Sequence, residues 1–143
     1  MRLEDQGWVV DASAGIPLFI NGPLSDAASR LFAHLAANPP VRIYVPDLFY
    51  IEITNALWKY VRWQGLAVVQ AQEYLHQLGG LHLHVVSTTE LMTDALAQAS
   101  LYSISAYDAC YVALAQRLSL PLITADTKLV NTLQDTERVQ LLM

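Results

Sequence analysis

Short apolar runs alternate along the chain with longer segments in which apolar residues recur at helical spacing. Runs of β-forming residues that end at polar or turn residues predict strands at 7–11, 41–45, 81–86, 120–124 and 139–142. Apolar residues at three- and four-residue intervals predict helices at 24–37, 48–63, 67–78, 88–102, 105–118 and 127–133, with a short one ending near residue 20. This alternation predicts an α/β fold with a mostly parallel central sheet of about five strands flanked by helices.

Length and composition favour one domain with a large apolar surface to bury. The chain of 143 residues has the size of a single domain spanning 1–143, and it contains no repeat or linker. Hydrophobic residues make up 54% of it, which is high for a soluble chain. We therefore expect a large core or a subunit interface, and with it an oligomer.

The sequence also predicts a soluble, cytoplasmic protein with no membrane segment. No apolar run approaches the roughly 18 residues that a membrane span requires, and residues 1–8 resemble neither a signal peptide nor a lipidation motif. Cys110 is the single cysteine, so we expect it to be a small core residue in a reducing compartment. The net charge of −5 argues against a protein that coats nucleic acid through Lys and Arg, but it does not exclude a nuclease.

Four acidic residues each stand inside an otherwise apolar stretch: Asp11, Glu52, Asp108 and Asp126. An ionised carboxylate is costly to bury unless a cation or several hydrogen bonds compensate for the lost water. Asp11 and Asp126 follow predicted strands, and ligands of open α/β sheets bind beyond the carboxyl ends of the strands. The four acids therefore indicate a shared hard cation such as Mg²⁺ or Mn²⁺, and with it phosphate chemistry.

Each acid also has a plain structural interpretation. Asp11 and Asp126 stand where N-caps of the following helices belong, and Asp108 lies three residues after Ser105 in a capping pattern. Glu52 would be an acid on the solvent-facing edge of its helix. Capping explains three acids separately but gives no reason for Glu52 or for the apolar flanks, so we favour the shared cation.

The four acidic motifs, taken in order, resemble the PIN-domain family. The residues that carry the resemblance are the strand followed by Asp11-Ala12-Ser13, the helix with Glu52-Ile53-Thr54-Asn55-Ala56-Leu57, the run Tyr107-Asp108-Ala109-Cys110-Tyr111, and Ile123-Thr124-Ala125-Asp126-Thr127-Lys128. Within the family, the chain is similar to the VapC-type toxin ribonucleases of toxin–antitoxin pairs. The match covers nearly the whole chain and implies a three-layer PIN-like fold.

The resemblance also implies an activity and a set of site residues. It implies an endoribonuclease that depends on Mg²⁺ or Mn²⁺, hydrolyses RNA phosphodiester bonds, forms a dimer and is inhibited by a small antitoxin protein whose C-terminal segment blocks the active site. Carried over by motif, the catalytic and metal-binding acids are Asp11, Glu52, Asp108 and Asp126. Residues with supporting roles are Ser13, Asn55 and Thr124.

Other functions remain open at this stage. A phosphatase with an aspartyl nucleophile would need a second Asp where Ser13 stands, and a signalling receiver domain would need an acid after the third strand, where residues 85–87 have none. A PIN fold that only binds RNA or a partner, without catalysis, is the main alternative. The chain has no concentrated basic run, and the candidates for contacts with RNA phosphates, or else for ordinary solvated charges, are Lys59, Arg62, Arg117 and Lys128.

Overall fold

The structure is a computed structural model that describes residues 7–133 and 139–143. Residues 1–6, on which part of the signal-peptide expectation rests, lie outside it. The strands are β1 Gly7–Val10, β2 Arg42–Pro46, β3 His84–Val86, β4 Leu122–Thr124 and β5 Val139–Leu141. The helices are α1 Ala12–Gly15, α2 Ser25–Ala33, α3 Leu48–Gln64, α4 Val68–Gly79, α5 Thr88–Tyr102, α6 Ala106–Leu118 and α7 Thr127–Leu133. Within the described residues, no helix is both long enough and apolar enough to cross a membrane.

The five strands form one sheet in the order β3-β2-β1-β4-β5, and all four neighbouring pairs are parallel. This confirms the predicted α/β fold with a parallel sheet. The chain builds the sheet outward from β1 through β2 to β3, and then returns to place β4 on the other side of β1. The strand order therefore reverses between β1 and β4, where open α/β sheets bind their ligands.

Several element boundaries differ from the predicted ones, and local backbone hydrogen bonds at helix ends explain two of the differences. The strand predicted at 120–124 begins at Leu122, because the Leu120 N–H bonds back to the Ala115 carbonyl and so completes the end of α6. The helix predicted at 24–37 is α2 followed by a 3-10 turn at His34–Ala36. The strand predicted at 81–86 is shortened to β3, because the Leu81 N–H bonds back to Leu78 at the end of α4.

Helix α6 is buried along most of its length. Its residues 109–115 are all buried, because the helix packs on β1, β2 and β4 and also against α5. A helix enclosed in this way must be apolar all round, which accounts for the apolar residues that follow Asp108. Cys110, at 7% exposure, is the small core residue that the sequence predicts.

Helices α1 and α3 approach each other at Gly15. A Cβ atom at this position would lie 3.0 Å from Cζ of Phe49 and 3.1 Å from Cδ1 of Ile53, both of which are fully buried. The absence of a side chain at Gly15 thus sets the distance between α1, which follows Asp11, and α3, which carries Glu52.

We expect the substitution Gly15→Ala to lower the free energy of unfolding by about 1–3 kcal/mol, because the added methyl group overpacks the α1–α3 contact. Gly79→Ala is the matched control, since a Cβ in the last residue of α4 meets nothing within 4 Å. That change should be neutral or should stabilise by up to about 1 kcal/mol. Urea denaturation of both variants measures the difference, and equal effects would contradict the close contact.

Candidate functional site

Asp11 follows β1 and caps α1, and both of its carboxylate oxygens are engaged. Val10 pairs with Ile123 in the sheet, so the next residues, Asp11 and Thr124, lie side by side. Thr124 Oγ1 donates to Asp11 Oδ2 at 2.5 Å. Ser13 Oγ donates to Oδ1 at 2.6 Å, and the Ala14 N–H donates to the same oxygen at 3.2 Å. Asp11 is only 5% exposed, so these hydrogen bonds hold a buried carboxylate in one orientation.

The hydroxyl groups of Ser13 and Thr124 connect the first acidic motif to the last. Their oxygens lie 3.1 Å apart. Ser13 Oγ accepts from the Ala125 N–H at 2.9 Å, and Thr124 Oγ1 accepts from the Asp126 N–H at 3.1 Å. Each hydroxyl therefore contacts Asp11 and also orients the backbone around Asp126. The supporting role that the resemblance implies for both residues stays a prediction, with this geometry behind it.

Asp126 and Asp108 lie at the starts of two helices. Asp126 Oδ1 accepts from the N–H groups of Lys128 at 3.0 Å and Leu129 at 3.3 Å, so it caps α7 as the structural interpretation predicts. Asp108 lies in the first turn of α6, and its N–H donates to Oγ of the N-cap Ser105 at 3.1 Å. Both acids line one hollow of about 250 Å³.

Glu52 is half-buried in the second turn of α3 and is held by a residue that the sequence analysis gave no role. Tyr111, on α6, donates its hydroxyl hydrogen to Glu52 Oε1 at 2.5 Å. Only 1% of Tyr111 is exposed. The sequence signal for this role is a tyrosine inside an apolar helix, because a buried phenol needs a hydrogen-bond partner. Its partner, however, is 59 residues away in sequence.

The acids influence one another electrostatically. Burial raises the pKa of Asp11 to about 6 despite its hydrogen bonds, and nearby Asp108 adds to the increase. Burial is also the main cause of the raised pKa of Glu52, with a further contribution from Asp108. The pKa of Asp108 is raised first by burial and then by Asp126. Each charge that acts on these pKa values is another carboxylate, so the four acids form one cluster of like charge.

No basic side chain in the described part of the chain forms an ion pair with this cluster. Arg117 is 3.8 Å from a carboxylate oxygen of Glu90 and also donates to the Glu90 carbonyl at 2.9 Å. Lys128 lines the hollow beside Asp108 and Asp126 but makes no ion pair with either. Among the described residues, hydrogen bonds alone offset the burial of the cluster.

The cluster is not arranged as a closed metal site. Within residues 7–133 and 139–143, no three His, Cys, Asp or Glu side chains lie close enough together to hold one ion. Asn55 forms no hydrogen bond with the acids among the described residues, and its supporting role stays a prediction. It is exposed and lines a separate hollow of about 630 Å³ together with Glu52, Trp58 and Tyr107.

Comparison with known proteins identifies the family. A family model described as "PIN domain" matches residues 8–132. The chain belongs to the PIN-domain family. A curated protein named Ribonuclease VapC3, from Pyrobaculum aerophilum, is 35% identical over 123 residues, which are 85% of this chain and 90% of that protein. Ribonuclease VapC9 of Mycobacterium tuberculosis is 33% identical over 127 residues, 87% of this chain and 89% of the relative.

Solved structures show the same fold for this PIN domain. The crystal structure of PAE2754 from Pyrobaculum aerophilum superposes with a TM-score of 0.68 at 23% identity, over 99% of this chain and 93% of that one. A toxin–antitoxin complex from Klebsiella pneumoniae contains a chain with a TM-score of 0.64 at 20% identity, over 92% of this chain and 94% of that one. The predicted resemblance is confirmed, and the phosphatase and receiver-domain alternatives are set aside.

We expect Asp11→Asn to stabilise the metal-free PIN domain at neutral pH. The pKa of Asp11 is about 6 in the folded chain, against an ordinary value of 3.8. Between these two pH values the folded state keeps a proton that the unfolded state releases. The contribution of Asp11 to stability therefore falls as the pH rises from about 4 to 6, by up to about 3 kcal/mol. Asn removes this penalty and still caps α1 well.

Urea unfolding in EDTA at pH 4 and pH 7 measures the effect. The wild-type chain and Asp11→Asn should be similarly stable at pH 4, and the variant should be the more stable of the two at pH 7. A variant that loses stability at pH 7 would show that the hydrogen bonds of the Asp11 carboxylate outweigh the cost of its burial.

Proposed function

We propose that this PIN domain is a metal-dependent endoribonuclease that hydrolyses RNA phosphodiester bonds, as the toxin of a type II toxin–antitoxin pair. One observation carries the proposal: four like charges meet at the reversal point of the sheet, and no basic side chain of the described residues pairs with them. Relatives that are at least 33% identical and are named ribonucleases support RNA as the substrate.

The chemistry of the side chains in this cluster suits a divalent cation. Carboxylate oxygens are the ligands that Mg²⁺ and Mn²⁺ prefer, and an added positive charge would offset the repulsion that raises the acids' pKa values. Asp11, Glu52, Asp108 and Asp126 would hold it. Such an ion supplies positive charge for the phosphate oxygens and lowers the pKa of water.

The chain's own residues then have distinct tasks. Asp11 is held by Ser13 and Thr124, so its carboxylate is already oriented. The Ser13 hydroxyl donates to Asp11 and accepts from the Ala125 N–H, so we assign it no role as nucleophile. Water attacks the phosphorus in line and loses a proton to a carboxylate of the cluster, while the bond to the 3′-oxygen breaks and that oxygen takes up a proton from solvent. The products are a 5′-phosphate and a 3′-hydroxyl.

The first test is cleavage of a mixed RNA pool by the purified protein in Mg²⁺, Mn²⁺ or EDTA. We expect cleavage with either ion, none in EDTA, and a loss of at least about 100-fold in Asp11→Asn and Asp126→Asn, because even indirect partners of metal ligands contribute 10- to 100-fold. Asp94→Asn is the matched control, since Asp94 is an exposed acid on α5 outside the cluster. It should cleave like the wild type.

The same assay separates catalysis from simple binding. A folded wild-type protein that binds Mn²⁺ and RNA but leaves every RNA intact would indicate the alternative function, a PIN fold that binds without cleaving. Cleavage that persists in EDTA or in both cluster variants would contradict the acid cluster as the active site.

We also propose a small antitoxin protein as a partner. Support comes from fold relatives solved in such assemblies: the Klebsiella pneumoniae toxin–antitoxin complex and a VapBC2 complex from Rickettsia felis, the latter at a TM-score of 0.65. The protein encoded by a short neighbouring reading frame should co-purify with this chain when the two are expressed together. When that protein is added to the RNA cleavage assay, it should stop the cleavage. The setting for such a pair is the cytoplasm, which agrees with a single, buried cysteine.

A homodimer is the assembly we propose, formed through the exposed apolar residues of α3 and α6. Ile51 and Tyr107 are each 66% exposed and Trp58 is 51% exposed, and these three line the same hollow beside Glu52. Large aromatic residues of this kind contribute most strongly at the centre of an interface. A second copy seated here would bury them and would flank the acid cluster.

We expect Trp58→Glu to convert the dimer to a monomer, because a charge would enter the centre of the apolar contact. Trp63→Glu is the matched control: Trp63 is also an exposed tryptophan of α3, at 63%, but it lies outside the hollow that Trp58 lines. Light scattering after size-exclusion chromatography gives the mass of each variant. A dimeric Trp58→Glu, or a monomeric Trp63→Glu, would contradict this choice of interface.

A further inference from the structure

Tyr111 places a neutral hydroxyl group beside the carboxylates of the cluster. Its ring is buried in α6, and its oxygen donates to Glu52 Oε1 at 2.5 Å. Glu52, Asp11 and Asp108 all act electrostatically on this phenol. The charges of three of the four carboxylates therefore act on one neutral hydrogen-bond donor, which is bonded to Glu52.

Glu52 is the acid that depends most on such a partner. Asp11 is held by two hydroxyls and a backbone N–H, and Asp126 is held by two backbone N–H groups. Glu52 has a longer side chain in the second turn of α3, where every backbone N–H can bond within the helix and none is free to donate to it. Repulsion from Asp108 would turn a free Glu52 carboxylate toward solvent. The described residues offer it no side-chain hydrogen bond other than that of Tyr111.

We propose that Tyr111 is a positioning residue that holds the Glu52 carboxylate in the acid cluster, where it can bind the divalent cation through its second oxygen. The proposal rests on the proposed metal-dependent function. A purely structural role is the competing explanation, in which Glu52 merely satisfies a buried phenol and contributes nothing to metal binding. The two explanations differ in what Tyr111→Phe does to metal affinity.

Calorimetric titration of the full chain with Mn²⁺, without RNA, tests this directly. We expect Tyr111→Phe to weaken Mn²⁺ binding by about 10- to 100-fold, the usual effect of removing a partner that orients a metal ligand. Its unfolding midpoint in EDTA should stay near that of the wild type, because Phe refills the same space. Tyr74→Phe is the matched control, since Tyr74 is a half-buried tyrosine whose ring lies 5.6 Å from Phe19. It should bind Mn²⁺ like the wild type.

A double substitution shows whether Tyr111 acts through Glu52. In the Glu52→Gln background, where this ligand is already weakened, adding Tyr111→Phe should change Mn²⁺ affinity by less than about two-fold. An equal loss in both backgrounds, or wild-type affinity in Tyr111→Phe itself, would overturn the positioning role while leaving the proposed nuclease intact. A wild-type chain that binds no Mn²⁺ would overturn both.

Discussion

The structure depends on one electrostatic constraint: four carboxylates of like charge meet at one edge of the sheet without a basic partner among the described residues. The protein offsets their burial with hydrogen bonds from hydroxyl and backbone donors. These bonds are insufficient, because the pKa of Asp11 still lies at about 6 and those of Glu52 and Asp108 are also raised. A fold that keeps such a cluster is less stable for it, which is the usual condition of a site kept for binding or catalysis.

The architecture explains why the acids meet. The reversal of strand order beside β1 places the ends of β1 and β4 next to each other, and this brings Asp11 to Thr124 and the segment that carries Asp126. Helices α3 and α6 contribute the other two acids from above the same edge. Gly15 lets α3 approach α1 closely, and the buried face of α6 carries Tyr111 inward to Glu52. Apolar packing thus determines the distances between the charges.

Much of this was predictable from sequence, because the signals are local. Strands buried on both faces appear as continuous apolar runs, and Asp11, Asp108 and Asp126 stand at the ends of those runs or at helix starts. The exact ends were missed where a backbone N–H completes the preceding helix and does not join the sheet, as at Leu120. The role of Tyr111 was missed for a different reason, since its partner is 59 residues away in sequence. Asn55 shares a helix face and a hollow with Glu52, but that hollow is not the one that Asp108 and Asp126 line.

Capping and metal binding, which the sequence presents as competing explanations, are compatible in three dimensions. Asp126 uses one oxygen, Oδ1, for the two N–H groups at the start of α7, and no described hydrogen bond engages the other. Asp11 caps α1 through Oδ1, while its Oδ2 meets a hydroxyl that can rotate. A helix cap orients a carboxylate through backbone N–H groups, so no further side chain is required. In this PIN domain, the helix starts orient Asp11 and Asp126 as Tyr111 orients Glu52, and under the proposed function each carboxylate would be a metal ligand oriented in advance.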